Sequence, residues 1–366
     1  MIKQKMMTKQ SERKNVPIIG ITCGDLNGIG PEVIFRMFQD NRLFQTGTPV
    51  LFGPGKSLQH YKKQYFQGEP GLQEIKEISE VVTKNLCYIS TSEEDFKPNA
   101  GIEDRASGLL AEEALKMAVR HLKSGMVDAI VTAPIQKHSI HSASFPFPGH
   151  TEYLAHEAVV KDYLMLLIGE SLRAGTVTGH LPLSEVSGKL NQELIITKAK
   201  IFLQSLKIDF GIRKPKLAIL GLNPHAGDGG LLGKEEDNII LPAIHKLRDE
   251  GHVVTGPYSA DGYFGSGAAF QFDGVLGMYH DQVLAPFKSL EFNNGINFTA
   301  GLPFVRTSPD HGTAYDIAGK NKASEGSMRA AFYMAVDIVQ QRRQMQEISA
   351  NPLKVSPGKK ERDYSR

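Results

Sequence analysis

Two kinds of apolar run alternate along this chain, and each predicts an element. Short uninterrupted runs ending in Gly, Pro, His or Asp read as buried strands: VPIIGITCGD from Val16, CYI around Cys87, VDAIVTAPIQK from Val127, LMLLIG with the small-residue stretch GTVTG behind it, LAILG from Leu217 and GVLGMY. Longer runs with helical spacing read as helices: EVIFRMFQD, the stretch from Ser107 to Gly125, Gln192–Leu206, and the segment closed by Gly251. In the second of these Leu109, Leu110, Ala114, Leu115 and Ala118 make the apolar stripe and Gly125 the stop. The segment from Gln59 to Ile89 is otherwise polar and without a clear period. No internal repeat or low-complexity linker divides the chain, and the alternation predicts an α/β fold.

The chain has 366 residues, which asks for two domains or one large α/β domain, and its 36 glycines suit a loop-rich enzyme. The formal charge of +2 is small and the basic residues are dispersed. Neither a nucleic acid nor a membrane surface is therefore expected as a partner. Cys23 and Cys87 are the two cysteines, too few for a disulfide framework, and fit a reducing compartment. No apolar run approaches the length of a membrane span and the basic N-terminus has no apolar stretch behind it, so a soluble, cytoplasmic protein is expected. Residues 1–15 and 351–366 read as flexible tails.

Three strand-like runs end in a histidine: His180 after LMLLIG and GTVTG, His225 after LAILGLNP, and His280 after GVLGMY. Open α/β sheets place their ligands at such strand ends, and three imidazoles there can meet at one metal ion. Any one of the 12 histidines is by itself an ordinary hydrogen-bonded residue. The repeated context, at separations of 45 and 55 residues, is what singles these out.

Several loops carry anion-binding chemistry. In DLNGIGPE, Gly28 and Gly30 allow a tight turn and Pro31 starts a helix whose N-terminus could face a cleft. Val33 stands where a dinucleotide fingerprint has its third glycine, so that motif is absent. Gly55, Lys56 and Ser57 resemble a phosphate loop, but Val50 occupies the place of its first glycine, and Lys56 is expected at the surface. His150 and Thr151 follow Gly149 at a helix start, where they either bind phosphate or merely cap the helix. Lys288, Asn297 and Arg306 offer a point charge, an amide and a planar fork, a suitable set for a phosphorylated substrate, with Asn297 and Arg306 expected on either side of one strand.

The motifs GDLNGIGPE, VTAPIQK, GHTEYLA, VTGHLPL, GLNPHAGDGG, YHDQ and GLPFVRTSPDHGTAYDIAG, between about Ile18 and Val339, resemble the 4-hydroxythreonine-4-phosphate dehydrogenase family of vitamin B6 biosynthesis. Leu26 and Asn27 depart from the usual GDPAGIGPE. The resemblance implies His180, His225 and His280 as ligands of one divalent metal, and His150, Thr151, Lys288, Asn297 and Arg306 as substrate contacts. DHGTAYDIAG is similar to the adenosine-binding loop of the isocitrate and isopropylmalate dehydrogenases, which implies NAD or NADP contacts at His311, Thr313 and Asp316. It further implies a three-layer α/β/α fold of two subdomains around a central cleft, 16–145 with 316–350 and 146–315, in a homodimer whose active sites are shared because the partner contributes His280.

The implied activity is NAD-dependent, metal-dependent oxidation of 4-phosphooxy-L-threonine to 2-amino-3-oxo-4-phosphooxybutanoate, which decarboxylates to 3-amino-2-oxopropyl phosphate on the way to pyridoxal 5'-phosphate. Zn, Co, Mn or Mg could serve as the metal. Asp261, Asp281 and Lys288 are the candidate bases, and Asp281 could instead orient the neighbouring His280. The alternatives are a paralogous dehydrogenase of a four-carbon sugar-acid phosphate such as threonate or erythronate 4-phosphate, and a metal-dependent phosphatase.

Overall fold

The structure, a computed structural model, describes residues 16–350 apart from 70, 83, 84, 142–144 and 293; the tails read at 1–15 and 351–366 lie outside the described residues. The strands are β1 (Ile18–Thr22), β2 (Thr48–Gly53), β3 (Leu72–Glu74), β4 (Leu86–Ser90), β5 (Ala129–Thr132), β6 (Leu164–Ile168), β7 (Arg173–Thr176), β8 (Lys216–Leu220), β9 (Val253–Tyr258), β10 (Gly274–Gly277), β11 (Ile296–Ala300) and β12 (Val305–Pro309). They form one sheet in the order β3-β4-β2-β1-β5-β12-β11-β6-β7-β10-β8-β9.

Two parallel wings flank an antiparallel middle. From β3 to β12 every neighbour is parallel, and so is every neighbour from β7 to β9. Between them β12–β11, β11–β6 and β6–β7 are antiparallel. The connections β6–β7 and β11–β12 are too short for a crossover, so each must reverse direction. The turn after β6 is closed by Gly169 N–H donating to the Leu172 carbonyl at 2.9 Å. The buried carboxylate of Glu291 holds it, accepting from Glu170 N–H at 3.2 Å and from Ser171 N–H and Oγ at 2.9 and 2.6 Å. Gly301, at φ +88°, makes the second reversal in a conformation that side chains disfavour.

Alternation along the strands builds the expected three layers. Leu166, Ile168, Leu217, Ile219 and Leu276 join the main core with Phe202 of the helix Gln192–Ile208. Leu167, Ala218, Leu220 and Val275 point the other way, into a second core with Val283 and Phe287 of the helix His280–Glu291. Strands covered on both faces explain why these runs carry no polar alternation. The helix Gly326–Ala350 packs on β12, β5 and β1, returning the chain end to the first wing. No described helix is long and apolar enough to cross a membrane.

The helix read near Ser107 spans Arg105–Lys123, and its buried face is Leu110, Ala111, Ala114, Leu115, Ala118, Val119 and Leu122. Leu109 lies one position off this face and is exposed, a correction that follows from the roughly 100° turned per residue. Cys23 and Cys87 are buried free thiols. Lys56 is exposed as expected, with Asp95 3.9 Å away.

The loop DLNGIGPE is sealed within the fold. Its helix, Gly30–Met37, starts against the Thr313 carbonyl, which accepts from Ile29 N–H at 2.9 Å, so the N-terminus expected to face the cleft is covered. Asp25 accepts from Ser107 Oγ and Tyr315 OH, both at 2.7 Å, and from Asn27 N–H at 2.9 Å. Asn27 donates to the Ile102 carbonyl at 2.9 Å and accepts from Asn99 N–H at 2.8 Å, pinning the segment 99–102. Leu26 is fully buried. The two departures therefore serve packing and loop anchoring. Asn27→Ala is expected to lower unfolding stability by roughly 1–3 kcal/mol, because it strands buried partners; denaturant titration checks this, and a change within error would show the loop held by other contacts.

Candidate active site

A cleft of about 1240 Å³ opens over the antiparallel middle of the sheet. Its floor follows from register. Arg306 and Ser308 share one face of β12; Ser308 sits opposite Asn297 on β11, Asn297 opposite Leu167 on β6, and all four line the cleft. Asn297 and Arg306 thus lie in two paired strands, which corrects the expectation that they flank a single one.

The floor carries buried polar atoms with no hydrogen-bond partner among the described residues: Arg306 Nη1, Asn297 Oδ1, His150 Nε2 and His311 Nε2. Arg306 is only 3% exposed and spends its other donors on Thr132 Oγ1, Nε at 3.0 Å and Nη2 at 2.8 Å. Burial pulls its pKa down to about 10, with the Glu152 carboxylate acting in the opposite sense, so the guanidinium remains charged at neutral pH. Burial and the Arg306 charge hold His150 well below the usual imidazole value. A buried guanidinium with a free donor is a group whose chemistry suits an anion.

His150 and Thr151 open the helix His150–Glu157, whose cap position is Gly149, without a side-chain cap. Thr151 therefore lines the cleft and does not cap the helix. Lys288 also faces the cleft, its Nζ 3.5 Å from Asp310 Oδ2. All five expected substrate contacts, His150, Thr151, Lys288, Asn297 and Arg306, line this one cavity.

The histidines divide two and one. His180 follows β7 and His280 starts the helix after β10, and because β7 and β10 are parallel neighbours their rings come within 5.3 Å. His280 Nδ1 lies 2.6 Å from Asp281 Oδ1, a contact that orients the ring. Burial, then Lys137 and His280, lower the His180 pKa and keep it neutral. Both also line the cleft, whereas His225 does not. Among the described residues no group of three metal-binding side chains forms within one chain. His280, the residue the resemblance gives to a partner, thus sits beside His180 of its own chain, and His225 stands apart.

His225 sits exposed in a loop of unusual backbone. Five successive residues are left-handed: His225 (φ 53°), Ala226 (53°), Gly227 (84°), Asp228 (46°) and Gly229 (63°). For non-glycine residues this region costs roughly 1–2 kcal/mol each, a strain typical of functional segments. Asp261 lies nearby in the helix Ala260–Gly265 and is exposed. The Gly262 N–H, the Ser259 hydroxyl and, more weakly, His225 hold its carboxyl below the usual range. It is outside the cleft of its own chain.

Of the cofactor candidates, His311 lines the cleft and burial lowers its pKa. Thr313 is buried against Gly28, and Asp316 is exposed with its carbonyl accepting from Lys320 Nζ at 2.6 Å; neither reaches the cavity. Three residues of the site escaped the sequence reading. Thr132 and Asp310 had a signal in their places at the ends of β5 and β12; Glu152, inside GHTE, had none apart from its neighbours.

The layered fold and a cleft joining a buried anion pocket to two facing imidazoles define an enzyme that acts on a small phosphorylated substrate. The family model described as pyridoxal phosphate biosynthetic protein PdxA matches residues 45–335. The 4-hydroxythreonine-4-phosphate dehydrogenase of Bacteroides thetaiotaomicron is 45% identical over 92% of both chains. That of a Sulfurihydrogenibium species is 41% identical over 87% of this chain and 97% of its own. The crystal structure of the Klebsiella pneumoniae 4-hydroxythreonine-4-phosphate dehydrogenase superposes with a TM-score of 0.79 at 36% identity, over 89% of this chain and 98% of that one. The chain belongs to the PdxA family of 4-hydroxythreonine-4-phosphate dehydrogenases and is an oxidoreductase.

The cleft imidazoles give the fold a pH dependence. His150, His180 and His311 all have folded values below 6.5, so the unfolded chain binds more protons as pH falls past that point. Their contribution is complete above about pH 6.5 and is lost on acidification. The melting temperature is expected to fall between pH 7 and pH 5, and His150→Gln should flatten that slope. Parallel slopes for the two proteins would refute the assignment.

Proposed function

We propose that this chain oxidises 4-phosphooxy-L-threonine with NAD or NADP to 2-amino-3-oxo-4-phosphooxybutanoate, which loses carbon dioxide to give 3-amino-2-oxopropyl phosphate in pyridoxal 5'-phosphate synthesis, in the cytoplasm. The observation that carries this reading is the free Nη1 of buried Arg306, with the unpartnered Nε2 of His150 in the same cleft. A phosphate there would accept from Arg306 Nη1, from Thr151 and from one ring N–H of neutral His150, while Asn297 Oδ1, an acceptor, would receive a hydrogen bond from the substrate's hydroxyl or ammonium.

His180 and His280 bring two imidazoles together in the cleft, a donor set that fits Zn, Co, Mn or Mg with a third ligand from elsewhere. A divalent ion held there would supply Lewis acidity at the substrate hydroxyl, and NAD or NADP, with His311 as the one candidate contact in the cleft, would accept the hydride. Among the bases, Asp281 is engaged by His280 and Asp261 lies outside the cavity; Lys288, 3.5 Å from Asp310 Oδ2, would take the hydroxyl proton on Nζ after passing one of its own protons to Asp310. The C–H bond breaks as hydride leaves and the ketone forms; the bond to the carboxylate then breaks, releasing carbon dioxide and leaving its electron pair as an enolate, which takes back at carbon the proton held on Lys288.

The third ligand we assign to His225 of a second copy in a homodimer. Support comes from the division of the histidines within one chain and from Leu181, Leu183, Leu231 and Leu232, exposed in sequence next to His180 and to the His225 loop. On this reading His225, not His280, crosses between subunits.

Three outcomes are expected. NADH absorbance should rise on adding 4-phosphooxy-L-threonine and far less with unphosphorylated 4-hydroxythreonine or with threonate 4-phosphate; preference for either comparator would reject the substrate. Arg306→Ala should raise the substrate KM by roughly 10- to 150-fold, the loss of one charge-assisted contact of about 1.5–3 kcal/mol, with NAD binding nearly unchanged; equal losses for both would remove Arg306 from the phosphate site. Co-refolded His180→Ala and His225→Ala chains should regain up to about a quarter of wild-type activity, because half the dimers are mixed and each holds one intact site. His180→Ala with His280→Ala should regain none, and the reverse pattern would return the crossing role to His280.

A further inference from the structure

The loop that presents His225 is left-handed through five residues, three of them not glycine, and it follows β8 without continuing any ladder. Something must hold it. The N–H groups of Leu222 and Asn223 point at one buried oxygen, Glu236 Oε1, each at 2.7 Å, and Asn223 Nδ2 donates to Glu236 Oε2 at 2.9 Å. Glu236 is 3% exposed, and these donors account for both carboxylate oxygens. It begins a π-helical turn, Glu236–Ile240, in which the helix is locally widened.

The surroundings are cut to fit that carboxylate. A Cβ added at Gly227 would lie 2.7 Å from Glu236 Oε2, and one at Gly221 would lie 3.0 Å from Oε1. Two glycines on the loop are thus needed for the close approach, independently of φ at Gly221. On the other side Gln282 Nε2 donates to the Gly221 carbonyl at 2.6 Å while its Oε1 accepts from Met278 N–H at 2.7 Å. The root of the loop is therefore fastened twice, to the π-turn by Glu236 and to the end of β10 by Gln282.

We infer that Glu236 is a positioning residue, a buried carboxylate that locks the left-handed loop so that the His225 imidazole is presented outward in one place. It touches no substrate. The inference rests on the reading of His225 as a metal ligand, and it predicts that Glu236 acts on metal affinity only through His225. Outer groups that orient a ligand typically change metal affinity 10- to 100-fold when removed.

The test is a double-mutant cycle on the dimeric protein, stripped of metal and titrated with Zn2+ in competition with a chromophoric chelator. Glu236→Ala is expected to raise the Zn2+ Kd about 10- to 100-fold. Glu236→Gln keeps the volume and one accepting oxygen but opposes its own amide to that of Asn223, so a smaller rise is expected. In the His225→Ala background both substitutions should change Kd less than about twofold. An unchanged Kd for Glu236→Ala and Glu236→Gln overturns the inference, and so does the same fold-loss with and without His225, which would mark a general structural role. If Glu236→Ala does not give a cooperative melt, Glu236→Gln alone decides. A wild-type Kd for His225→Ala would instead sink the metal-ligand reading itself, which keeps the two failures apart.

Discussion

Arg306 is the constraint around which the cleft is arranged. A guanidinium 3% exposed, with no carboxylate bonded to it and one amino group free among the described residues, is a costly thing to fold. The sheet tolerates it because Thr132 accepts two of its donors and because Glu152 supplies a negative charge nearby. What remains unsatisfied is directed into the cavity. Burial and, after it, the Arg306 charge keep His150 neutral, so its ring can donate without adding a second charge beside the guanidinium.

Sheet direction does the rest of the positioning. Were the sheet parallel throughout, one edge would collect all the strand ends and the face of the middle strands would be covered by crossover helices. The reversal at β11 and β6 leaves that face open, and the period of two places Arg306, Ser308, Asn297 and Leu167 on it together. The parallel neighbours β7 and β10 then deliver His180 and His280 side by side. The buried polar floor of the cleft and the imidazole pair are consequences of strand direction and order.

The division of the histidines follows from the same sheet. β8 lies beyond β10, and its loop is turned left-handed and exposed instead of folding over the cleft. Strain of this kind persists only where surrounding groups over-determine it. Here those groups are a buried carboxylate and a buried amide, neither conspicuous in a sequence with 40 acidic residues.

Periodicity and motif spacing by themselves indicated β1, β4, β5, β6, β8 and β10, the helices at Gly30–Met37, Arg105–Lys123 and Gln192–Ile208, and the absence of a dinucleotide fingerprint. They also singled out strand-end histidines and a Lys/Asn/Arg set, because these are local signals. β2, β3, β9, β11, β12 and the helix Gly326–Ala350 did not stand out in the sequence. Local signals could not say that Asn297 and Arg306 lie on paired strands, since register between strands is a non-local property. Nor could they separate His225 from His180 and His280, or bury Thr313 against Gly28 away from the cleft. Leu26 and Asn27 looked like departures in a binding loop, and only packing showed them as a core residue and an anchor for 99–102. Which side chain meets which is decided by strand order and direction, and these are set by burial across the whole sheet, not by any single run of residues.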